Sequence, residues 1–554
     1  MDEFSLLIAG KAGDGIDTAG FLIAHILNKL GFRLYIYRDY PSIIRGGHTF
    51  SIIRASKDRI YTHSNKIDFI LALNQDSIDF HKEKIKNKGI IIFNSDLVKE
   101  DSLPDDKKCL GFSLEKIVKE ENVTLIMRNS CAIGIFCKII GIEWENLDSV
   151  FRKNISKEID LNLKLARRGY DLAENLVKIK AISQEPLPLI NGSEAIGLGL
   201  VKAGLGNYIA YPMTPSSGLL HFLAANADDF GIKVIHPESE IAVVLMALGF
   251  SYTGQKTAVG TSGGGFCLMT EGLSLSGMAE LPIVFMVGQR TGPSTGLPTY
   301  TGQSELQFIL NAGHGEFSRF VIAPGDAEEA YFASQLAMNL AWKYQIPAFI
   351  LTDKTLNEGI YNFDINISKN LIEEMPIIWD KANPYKRYLD TKNGISPLRF
   401  VPDKDAIIKV NSYEHDEFGI TTEEASITKL MQEKRLRKEK YLEKELESYQ
   451  AVKIYGNKKS KTAILCWGSN KGVCLEVADK LGLKVIQPLV LWPFPGRQFK
   501  NATKGLKKII CIENNATGQL EKLIKLYGFS IHKKITRYDG RPFSLDELEE
   551  KLKK

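Results

Sequence analysis

The stretch Tyr211-Pro212-Met213-Thr214-Pro215-Ser216-Ser217 joins two apolar runs, and its two prolines restrict the backbone of the turn. Such a turn holds the Thr214 hydroxyl at the end of a strand, where ligands bind in open α/β sheets. A carboxylate pair follows in Pro237-Glu238-Ser239-Glu240, directly before the apolar, helix-like run from Ile241 to Gly249. One of these carboxylates is expected to be partly removed from water. The pattern predicts half of a cofactor site.

Strand-like and helix-like segments alternate around this stretch, from Gly192 to about Gly359, with Gly and Pro at their junctions. Pro282–Val287 and Pro347–Leu351 are short apolar runs of the kind found in buried parallel strands. The alternation predicts a doubly wound α/β domain.

A second α/β unit is predicted at the start of the chain. A strand (Phe4–Ile8), a glycine-rich turn (Gly10–Gly15), a helix (Ile16–Leu30) and another strand (Phe32–Tyr37) follow one another. The turn could present N–H groups to a phosphate. However, its Gly-x-x-Gly-x-Gly spacing differs from the dinucleotide fingerprint, although Asp39 lies at about the distance of a ribose-binding acid. Close packing of helix on strand explains the glycines equally well.

The triplet Arg45-Gly46-Gly47 has two interpretations. Two glycines beside a cation allow the backbone to approach an anion or a partner chain closely, but a tight turn with a solvated Arg45 fits the same residues.

The composition excludes several classes of function. A net charge of +5 over 554 residues predicts no nucleic-acid partner. Alternating Lys, Arg and Glu near Lys434–Lys440 predict a solvated helix face. No apolar stretch is long enough to span a membrane, and the start, Met1–Phe4, resembles no export signal, so we expect a cytoplasmic protein.

The seven cysteines form no Cys-x-x-Cys pair, and several lie in apolar runs. Buried reduced thiols are therefore expected, and a metal or iron–sulfur site made by this chain alone is not. If electrons move here, another subunit carries them.

Three further side chains could take part in chemistry. Arg290 begins the hydroxyl- and glycine-rich stretch Arg290–Thr299, where it could grip a small carboxylate in a bidentate manner or be a solvated loop residue. Glu240 could bind a cofactor nitrogen or simply place a negative charge at a helix N-terminus. His314 could carry a proton or pack in a turn.

Ordered motifs along most of the chain resemble those of the 2-oxoacid:ferredoxin (acceptor) oxidoreductases. The resemblance is to an α subunit with the γ domain fused at its N-terminus. The motifs, in chain order, are Gly10–Gly20, Arg45–Gly47, Gly192–Ala195, Tyr211–Ser217, Thr261–Phe266, Arg290–Thr299, Gly313–Phe317, Glu414–Gly419 and Glu513–Leu520. Met213 replaces the family's usual Ile, and Gly263-Gly264-Gly265 stands where Gly-Pro-Gly is common.

The resemblance implies a thiamine diphosphate enzyme whose cofactor is shared with a β subunit. Glu240 matches the carboxylate that hydrogen-bonds the aminopyrimidine ring, and Pro215 and Gly264 match other cofactor contacts. Thr214 and Arg290 match contacts to the substrate carboxylate, and Thr299 matches a position near the far end of the substrate. Mg²⁺ and a [4Fe-4S] cluster are implied in the β subunit, with ferredoxin as electron acceptor and coenzyme A as co-substrate.

The resemblance also implies four segments and a multidomain α/β fold. They are a γ domain (1–183), a transketolase-like pyrimidine-binding domain (190–360), an irregular or helical connection (361–455) and a transketolase-C-like α/β domain (456–554). The favoured substrate is 2-oxoglutarate, converted to acyl-CoA and CO2. Specificity for pyruvate or branched-chain 2-oxoacids, and a non-catalytic scaffold subunit, stay open as alternatives.

Overall fold

The computed structural model describes residues 2–42, 46–368, 370–381 and 384–554, which form α-helices packed on three β-sheets. The strands are β1 (Glu3–Lys11), β2 (Arg33–Asp39), β3 (His48–Ser56), β4 (Ile67–Ala72), β5 (Ile85–Asn94), β6 (Lys108–Phe112), β7 (Leu189–Asn191), β8 (Asn207–Ala210), β9 (Lys233–Ile235), β10 (Thr257–Ser262), β11 (Ile283–Gln289), β12 (Phe320–Ile322), β13 (Pro347–Asp353), β14 (Ile360–Asn362), β15 (Val452–Gly456), β16 (Thr462–Leu465), β17 (Lys484–Pro488), β18 (Val490–Trp492), β19 (Lys508–Glu513) and β20 (Lys533–Thr536). The helices are α1 (Ile16–Lys29), α2 (Gln75–Asp79), α3 (Leu114–Glu120), α4 (Arg128–Ile139), α5 (Trp144–Asn154), α6 (Ile159–Leu172), α7 (Gly192–Lys202), α8 (Ser217–Ala225), α9 (Ala227–Phe230), α10 (Glu240–Tyr252), α11 (Gly263–Ala279), α12 (Leu306–Asn311), α13 (Ala327–Tyr344), α14 (Lys354–Glu358), α15 (Ala425–Leu446), α16 (Asn470–Leu481), α17 (Gly496–Thr503), α18 (Gln519–Lys525) and α19 (Leu545–Lys553).

These elements form two compact units. The first comprises residues 1–190, 359–363 and 543–554, and the second comprises residues 191–358 and 364–542. The two units are defined only by how compactly their residues pack, which does not test the predicted boundaries of the four segments. That division therefore stays a prediction.

The first unit is built on an eight-stranded sheet with the order β6-β5-β4-β1-β3-β2-β14-β7. The predicted sequence of β1, α1 and β2 is confirmed. However, β3 lies between β1 and β2 and runs antiparallel to both, so the two predicted strands are not neighbours. The sheet is therefore mixed: β1 runs antiparallel to its neighbour β3 and parallel to its other neighbour, β4.

Local packing accounts for the glycine-rich turn after β1. Gly13 and Gly15 have φ values of 97° and 74°, a conformation that favours glycine. A Cβ at Gly10 would stand 2.7 Å from Cδ1 of Ile16 on α1. Asp39 is buried and accepts a hydrogen bond from the Tyr37 hydroxyl at 2.9 Å. These contacts favour helix–strand packing over dinucleotide binding; Arg45 lies outside the described residues.

The second unit contains a seven-stranded sheet with the order β18-β12-β13-β11-β10-β8-β9. All neighbouring pairs from β12 to β9 are parallel, as predicted for a doubly wound domain. Only β18, which comes from the C-terminal part of the chain, runs antiparallel to its neighbour β12. β11 and β13 are buried over their whole length, because helices cover both faces of the sheet.

A five-stranded sheet with the order β15-β17-β16-β19-β20 completes the second unit. Its apolar side chains continue the core of the seven-stranded sheet: Leu465 and Trp467 belong to the same cluster of buried residues as Val321 and Phe349. The two sheets thus share one core. No helix in the described part of the chain is long and apolar enough to cross a membrane.

The prediction that residues near Lys434–Lys440 form a solvated helix face is wrong. Lys434 and Lys438, one turn apart on α15, are 0% and 1% exposed. Both ammonium groups pair with the buried carboxylate of Glu280, which follows the last residue of α11. Lys440 alone of these lysines is exposed. Alternating charge could not reveal this arrangement, because the partner of the lysines lies far away in sequence.

Candidate active site

The carboxyl ends of four parallel strands place the predicted site residues at one edge of the seven-stranded sheet. β8, β9, β10 and β11 end at Ala210, Ile235, Ser262 and Gln289. The segments that follow carry Thr214, Glu240, Gly263–Gly265 and Arg290. Ligands bind at this edge in parallel α/β sheets. A cleft of about 700 Å³ opens there.

The walls of the cleft come from several of these segments. Met213, the first two residues of α11, Arg290, the loop 292–295 and Glu305 line it. Gly264 faces open space: the nearest atoms to a Cβ built on it are 3.8 Å away. The sequence predicted both Arg290 and Gly264 as site residues, and both contribute to the cleft.

Glu240 is the first residue of α10 and its side chain is only 5% exposed. Ser239 caps the helix by accepting a hydrogen bond from the Ala242 amide. The described residues provide no hydrogen-bond partner for the Glu240 carboxylate. Burying a carboxylate without a partner is costly, so this group is suited to accept a hydrogen bond from a ligand.

Gly265, in the first turn of α11, leaves the space that the Glu240 side chain occupies. A Cβ at this position would stand 2.5 Å from Oε1 of Glu240 and still closer to Oγ1 of Thr261. Only a glycine allows the two helix N-termini to approach in this way. The Gly263–Gly265 triplet thus begins a helix, and the glycine that replaces the family's common proline, Gly264, points into the cleft.

We expect Gly265→Ala to lower turnover about 100-fold, because its methyl group displaces Glu240 and a shift of about 1 Å in a positioned group has an effect of that size. Steady-state kinetics of the assembled enzyme measure the change. Gly249→Ala is the matched control, since Gly249 is exposed on the same helix as Glu240 and a Cβ there meets no atom within 4 Å. Equal losses in the two variants would contradict a specific effect on Glu240.

Arg290 and Thr214 are brought together by a direct hydrogen bond. Nη1 of Arg290 donates to the backbone oxygen of Thr214 at 2.9 Å. Among the described residues no other acceptor for the guanidinium group is found, although Arg290 is only 8% exposed. Burial lowers the pKa of Arg290, and Glu305 partly offsets the shift. The group remains a cation at neutral pH with donors free to bind an anion in the cleft.

Thr299 and Pro215 lie outside the lining of the cleft. Oγ1 of Thr299 is closed off from solvent and has no hydrogen-bond partner in the described part of the chain. Pro215 is buried against β11, where a Cβ at Gly288 would stand 3.0 Å from its Cγ. Its backbone oxygen accepts a hydrogen bond from Asn357 at 3.2 Å. Pro215 therefore supports the turn that carries Thr214.

His314 is exposed on a loop and does not line this cleft. Its amide donates to Oγ of Ser274 at 2.9 Å, which explains the tight turn. The imidazole of His314 is therefore not packed in the turn, and it is not placed to carry a proton in this cleft.

Gln303, which was not predicted as a site residue, anchors the loop that carries Arg290. Its Oε1 accepts hydrogen bonds from the Asn514 amide and from Nδ2 of Asn470, at 3.0 and 2.7 Å. Asn515 in turn donates to the backbone oxygen of Gln303 at 3.0 Å. The Glu513–Leu520 motif thus fixes the cleft wall from the five-stranded sheet. A lone buried glutamine gives no signal in the sequence.

Glu305, also missed, stands at the wall of the cleft beside Gly263. A Cβ at Gly263 would lie 2.7 Å from Cγ of Glu305. In the sequence Glu305 directly precedes a short helix, and an acidic residue at such a position normally indicates only a helix start. Its place in the cleft wall was therefore not predicted.

All seven cysteines are free, and five of them are buried as expected. Cys267, on α11 at the cleft, is exposed, and Cys109 is half-buried. No group of three or more His, Cys, Asp or Glu side chains that could hold a metal ion is found among the residues the structure describes.

The site fits thiamine diphosphate on two observations. Glu240 offers a buried carboxylate without a partner, which suits an N–H donor of an aminopyrimidine ring. Gly264, in the first turn of α11, faces open space in the cleft, where a flat ring has room. A diphosphate-binding set of metal ligands is not found in the described part of the chain.

Comparison with known proteins agrees with this fit. Residues 5–172 match the family model for pyruvate ferredoxin/flavodoxin oxidoreductase. Residues 199–434 match the model for the thiamine diphosphate-binding part of pyruvate flavodoxin/ferredoxin oxidoreductase.

Similar relatives span nearly the whole chain. A 2-oxoacid:ferredoxin oxidoreductase subunit alpha from a Sulfolobus species is 31% identical, over 99% of this chain and 96% of its own length. The corresponding subunit 1 alpha from Sulfurisphaera tokodaii is also 31% identical, over 99% and 97%. The solved 2-oxoglutarate:ferredoxin oxidoreductase from Magnetococcus marinus has a TM-score of 0.91 and 28% identity, covering 100% of this chain and 99% of that one.

The carboxyl edge of the parallel sheet carries a carboxylate without a partner and a glycine turn, and this part of the chain matches a thiamine diphosphate-binding family model. Together these observations define a thiamine diphosphate enzyme. Similarity to the two alpha subunits along nearly the whole chain assigns the protein to one family of such enzymes. The chain belongs to the 2-oxoacid:ferredoxin oxidoreductase family and corresponds to its alpha subunit. The predicted family and fold class are confirmed, whereas the roles of individual site residues stay predictions.

Proposed function

We propose that this chain, together with a β subunit, oxidises a 2-oxoacid, with 2-oxoglutarate favoured, to an acyl-CoA. One 2-oxoacid, one coenzyme A and two oxidised ferredoxins give acyl-CoA, CO2, one proton and two reduced ferredoxins. The bond between the carboxylate and the 2-oxo carbon breaks, the acyl group passes to the thiol, and the electron pair leaves as two single electrons.

The observation that carries the proposal is that a buried carboxylate without a hydrogen-bond partner and a buried guanidinium group both lie at one edge of the sheet. Glu240 is 5% exposed and Arg290 is 8% exposed. A cofactor donor suits the first and a substrate carboxylate suits the second. A scaffold that only docks to another chain has no need of either group.

Each residue has a distinct role in this proposal. Thiamine diphosphate, when bound, supplies the electron sink that allows the carboxylate to leave. Glu240 accepts a hydrogen bond from the aminopyrimidine ring and orients it, while Pro215 and Gly264 shape the space around that ring. Arg290 and Thr214 hold the substrate carboxylate, and the Thr299 hydroxyl lies toward the far end of the substrate.

The choice of 2-oxoglutarate rests on the Magnetococcus marinus enzyme. That structure contains 2-oxoglutarate, coenzyme A and succinyl-CoA, and its chain matches this one along its whole length. We extend the same substrate and coenzyme A to this chain. Pyruvate and branched-chain 2-oxoacids are the alternatives to be tested beside it.

Arg290→Ala should raise KM for the 2-oxoacid about 10- to 100-fold with a smaller change in kcat, because a hydrogen bond to a charged group contributes about 1.5–3 kcal/mol. Initial rates over a range of 2-oxoglutarate concentrations measure the effect. Arg290→Lys is the control: it keeps the charge but loses the fork of donors, so its KM should lie in between. An unchanged KM in Arg290→Ala would refute carboxylate binding by this residue.

The β subunit is proposed to cover the exposed apolar face of α10 and α11. Ile241, Leu245, Met246 and Leu268 on these helices are 52%, 43%, 44% and 50% exposed. Apolar side chains in such a group are typical of a protein interface. We assign Mg²⁺ and the [4Fe-4S] cluster to that partner.

All seven cysteines are free. Free thiols favour a reducing compartment. They therefore support a cytoplasmic location for the complex.

The experiment is to express the chain with the shorter chain encoded beside it, purify the complex and follow 2-oxoacid-dependent reduction of a viologen dye with coenzyme A. We expect reduction with 2-oxoglutarate that requires thiamine diphosphate and both chains. Reduction with pyruvate or a branched-chain 2-oxoacid alone would revise the substrate. A complex that assembles but reduces no dye with any 2-oxoacid would favour the scaffold.

A further inference from the structure

Glu305 is an acidic side chain in the wall of the cleft for which the reaction, as proposed, has no use. Its Oε1 accepts a hydrogen bond from Oγ of Ser304 at 3.0 Å, and its backbone N–H donates to Oε1 of Gln289 at 3.1 Å. Its Oε2 is closed off from solvent and has no partner in the described part of the chain. Glu305 thus lines the cleft while one of its two carboxyl oxygens is buried without a hydrogen bond.

The charge environment of Glu305 is sparse. Arg290, which follows β11, is the charged group that acts on it, but no ion pair within 4 Å joins the two in the described residues. α11 contributes Gly263 and Cys267 to the same cleft, and neither carries a charge there. α18 contributes only the neutral amide of Gln519, which donates to the backbone oxygen of Ser304.

Burial raises the pKa of Glu305 to about 7, against the opposing effects of the Ser304 hydrogen bond and of Arg290. The folded-state pKa thus lies within the range of cellular pH. Both protonation states are populated near neutrality, and an anion placed beside Arg290 favours the neutral form further by charge repulsion.

We propose that Glu305 is a proton-linked positioning residue: it is neutral when the carboxylate of the 2-oxoacid lies against Arg290, and in its ionised form it competes with that carboxylate for the guanidinium. This role rests on the proposed function of Arg290. The neutral Glu305 leaves the donors of Arg290 to the substrate. Substrate binding therefore takes up a proton at Glu305.

The test is the pH dependence of KM for 2-oxoglutarate, measured with the complete two-chain enzyme containing thiamine diphosphate. For the unmodified enzyme KM should be nearly flat below about pH 6 and rise about fivefold between pH 7 and pH 8, following the ionised fraction of Glu305. Glu305→Gln should remove this rise, and the change should fall on KM rather than on kcat. A purely structural role would not change the shape of the profile.

Ser304→Ala provides a second variant that leaves the carboxyl group in place. Ser304 is exposed and its hydroxyl favours the ionised form of Glu305. Its removal should shift the rise in KM to higher pH. A KM profile that is the same in the unmodified enzyme, Glu305→Gln and Ser304→Ala would overturn the proposal.

The proposed function and the role of Glu305 are contradicted by different results. If the unmodified complex reduces no dye with any 2-oxoacid, the proposed function is wrong and the role of Glu305 falls with it. If the complex is active and Arg290→Ala raises KM, but the pH profile does not depend on Glu305, only the proton-linked role is wrong.

Discussion

Glu240→Gln is expected to lower kcat at least about 100-fold while the two-chain complex still assembles. The substitution keeps the shape of the side chain but replaces the carboxyl group with a neutral amide, whose oxygen is a weaker acceptor for the ring N–H of the cofactor and whose NH2 group accepts nothing. Positioned acid–base groups contribute about 10²–10⁴-fold to rate. 2-Oxoglutarate-dependent dye reduction gives kcat, and size-exclusion chromatography shows whether the complex has formed.

Glu238→Gln is the matched control, since Glu238 lies two residues earlier and is exposed, whereas Glu240 is buried. It should retain the unmodified rate. Near-normal turnover by Glu240→Gln would refute the assignment of this carboxylate, and equal losses in both variants would indicate a general effect on the start of α10.

The parallel sheet of the second unit could be predicted from the sequence because its signals are local. Apolar runs such as Pro282–Val287 and the glycines and prolines at their ends mark each strand independently of the others. The edge at which Glu240, Gly264 and Arg290 meet follows from the same pattern, because parallel strands have their carboxyl ends on one side. Local signals therefore predict which segments approach the site.

Contacts between distant side chains could not be predicted in this way. Gln303 joins Asn514 and Asn515, more than 200 residues further along. Glu305 acquires its environment from Gly263 and Arg290, which belong to two other elements. Such neighbours are set by the packing of whole elements, so residue type and spacing gave no sign of them.

The buried charges at the end of α11 give the second large effect that we expect. Glu280→Gln should lower the free energy of unfolding by about 3–5 kcal/mol, because it leaves Lys434 and Lys438 buried without their counter-charge. Arg387, which donates to the backbone oxygen of Glu280 at 2.8 Å, adds a third cation nearby. Differential scanning calorimetry of the complex measures the loss as a lower transition temperature.

The pH dependence of stability follows from the same cluster. Burial alone would raise the pKa of Glu280, but the two ammonium groups more than offset this and hold the pKa below its usual range. The unfolded chain therefore binds the proton more readily, so the contribution of Glu280 is present above about pH 4.3 and lost as the pH falls below it. Glu280→Gln should lack this acid-dependent step.

Glu271→Gln separates this effect from a general change in α11, since Glu271 is on the same helix and exposed. It should unfold like the unmodified protein. Replacing the exposed Lys440 of α15 by Met should likewise have little effect, because a solvated lysine contributes at most about 1 kcal/mol. If Glu280→Gln is as stable as these two controls, the buried ion pairs do not hold α15 against α11, and apolar packing must do so instead.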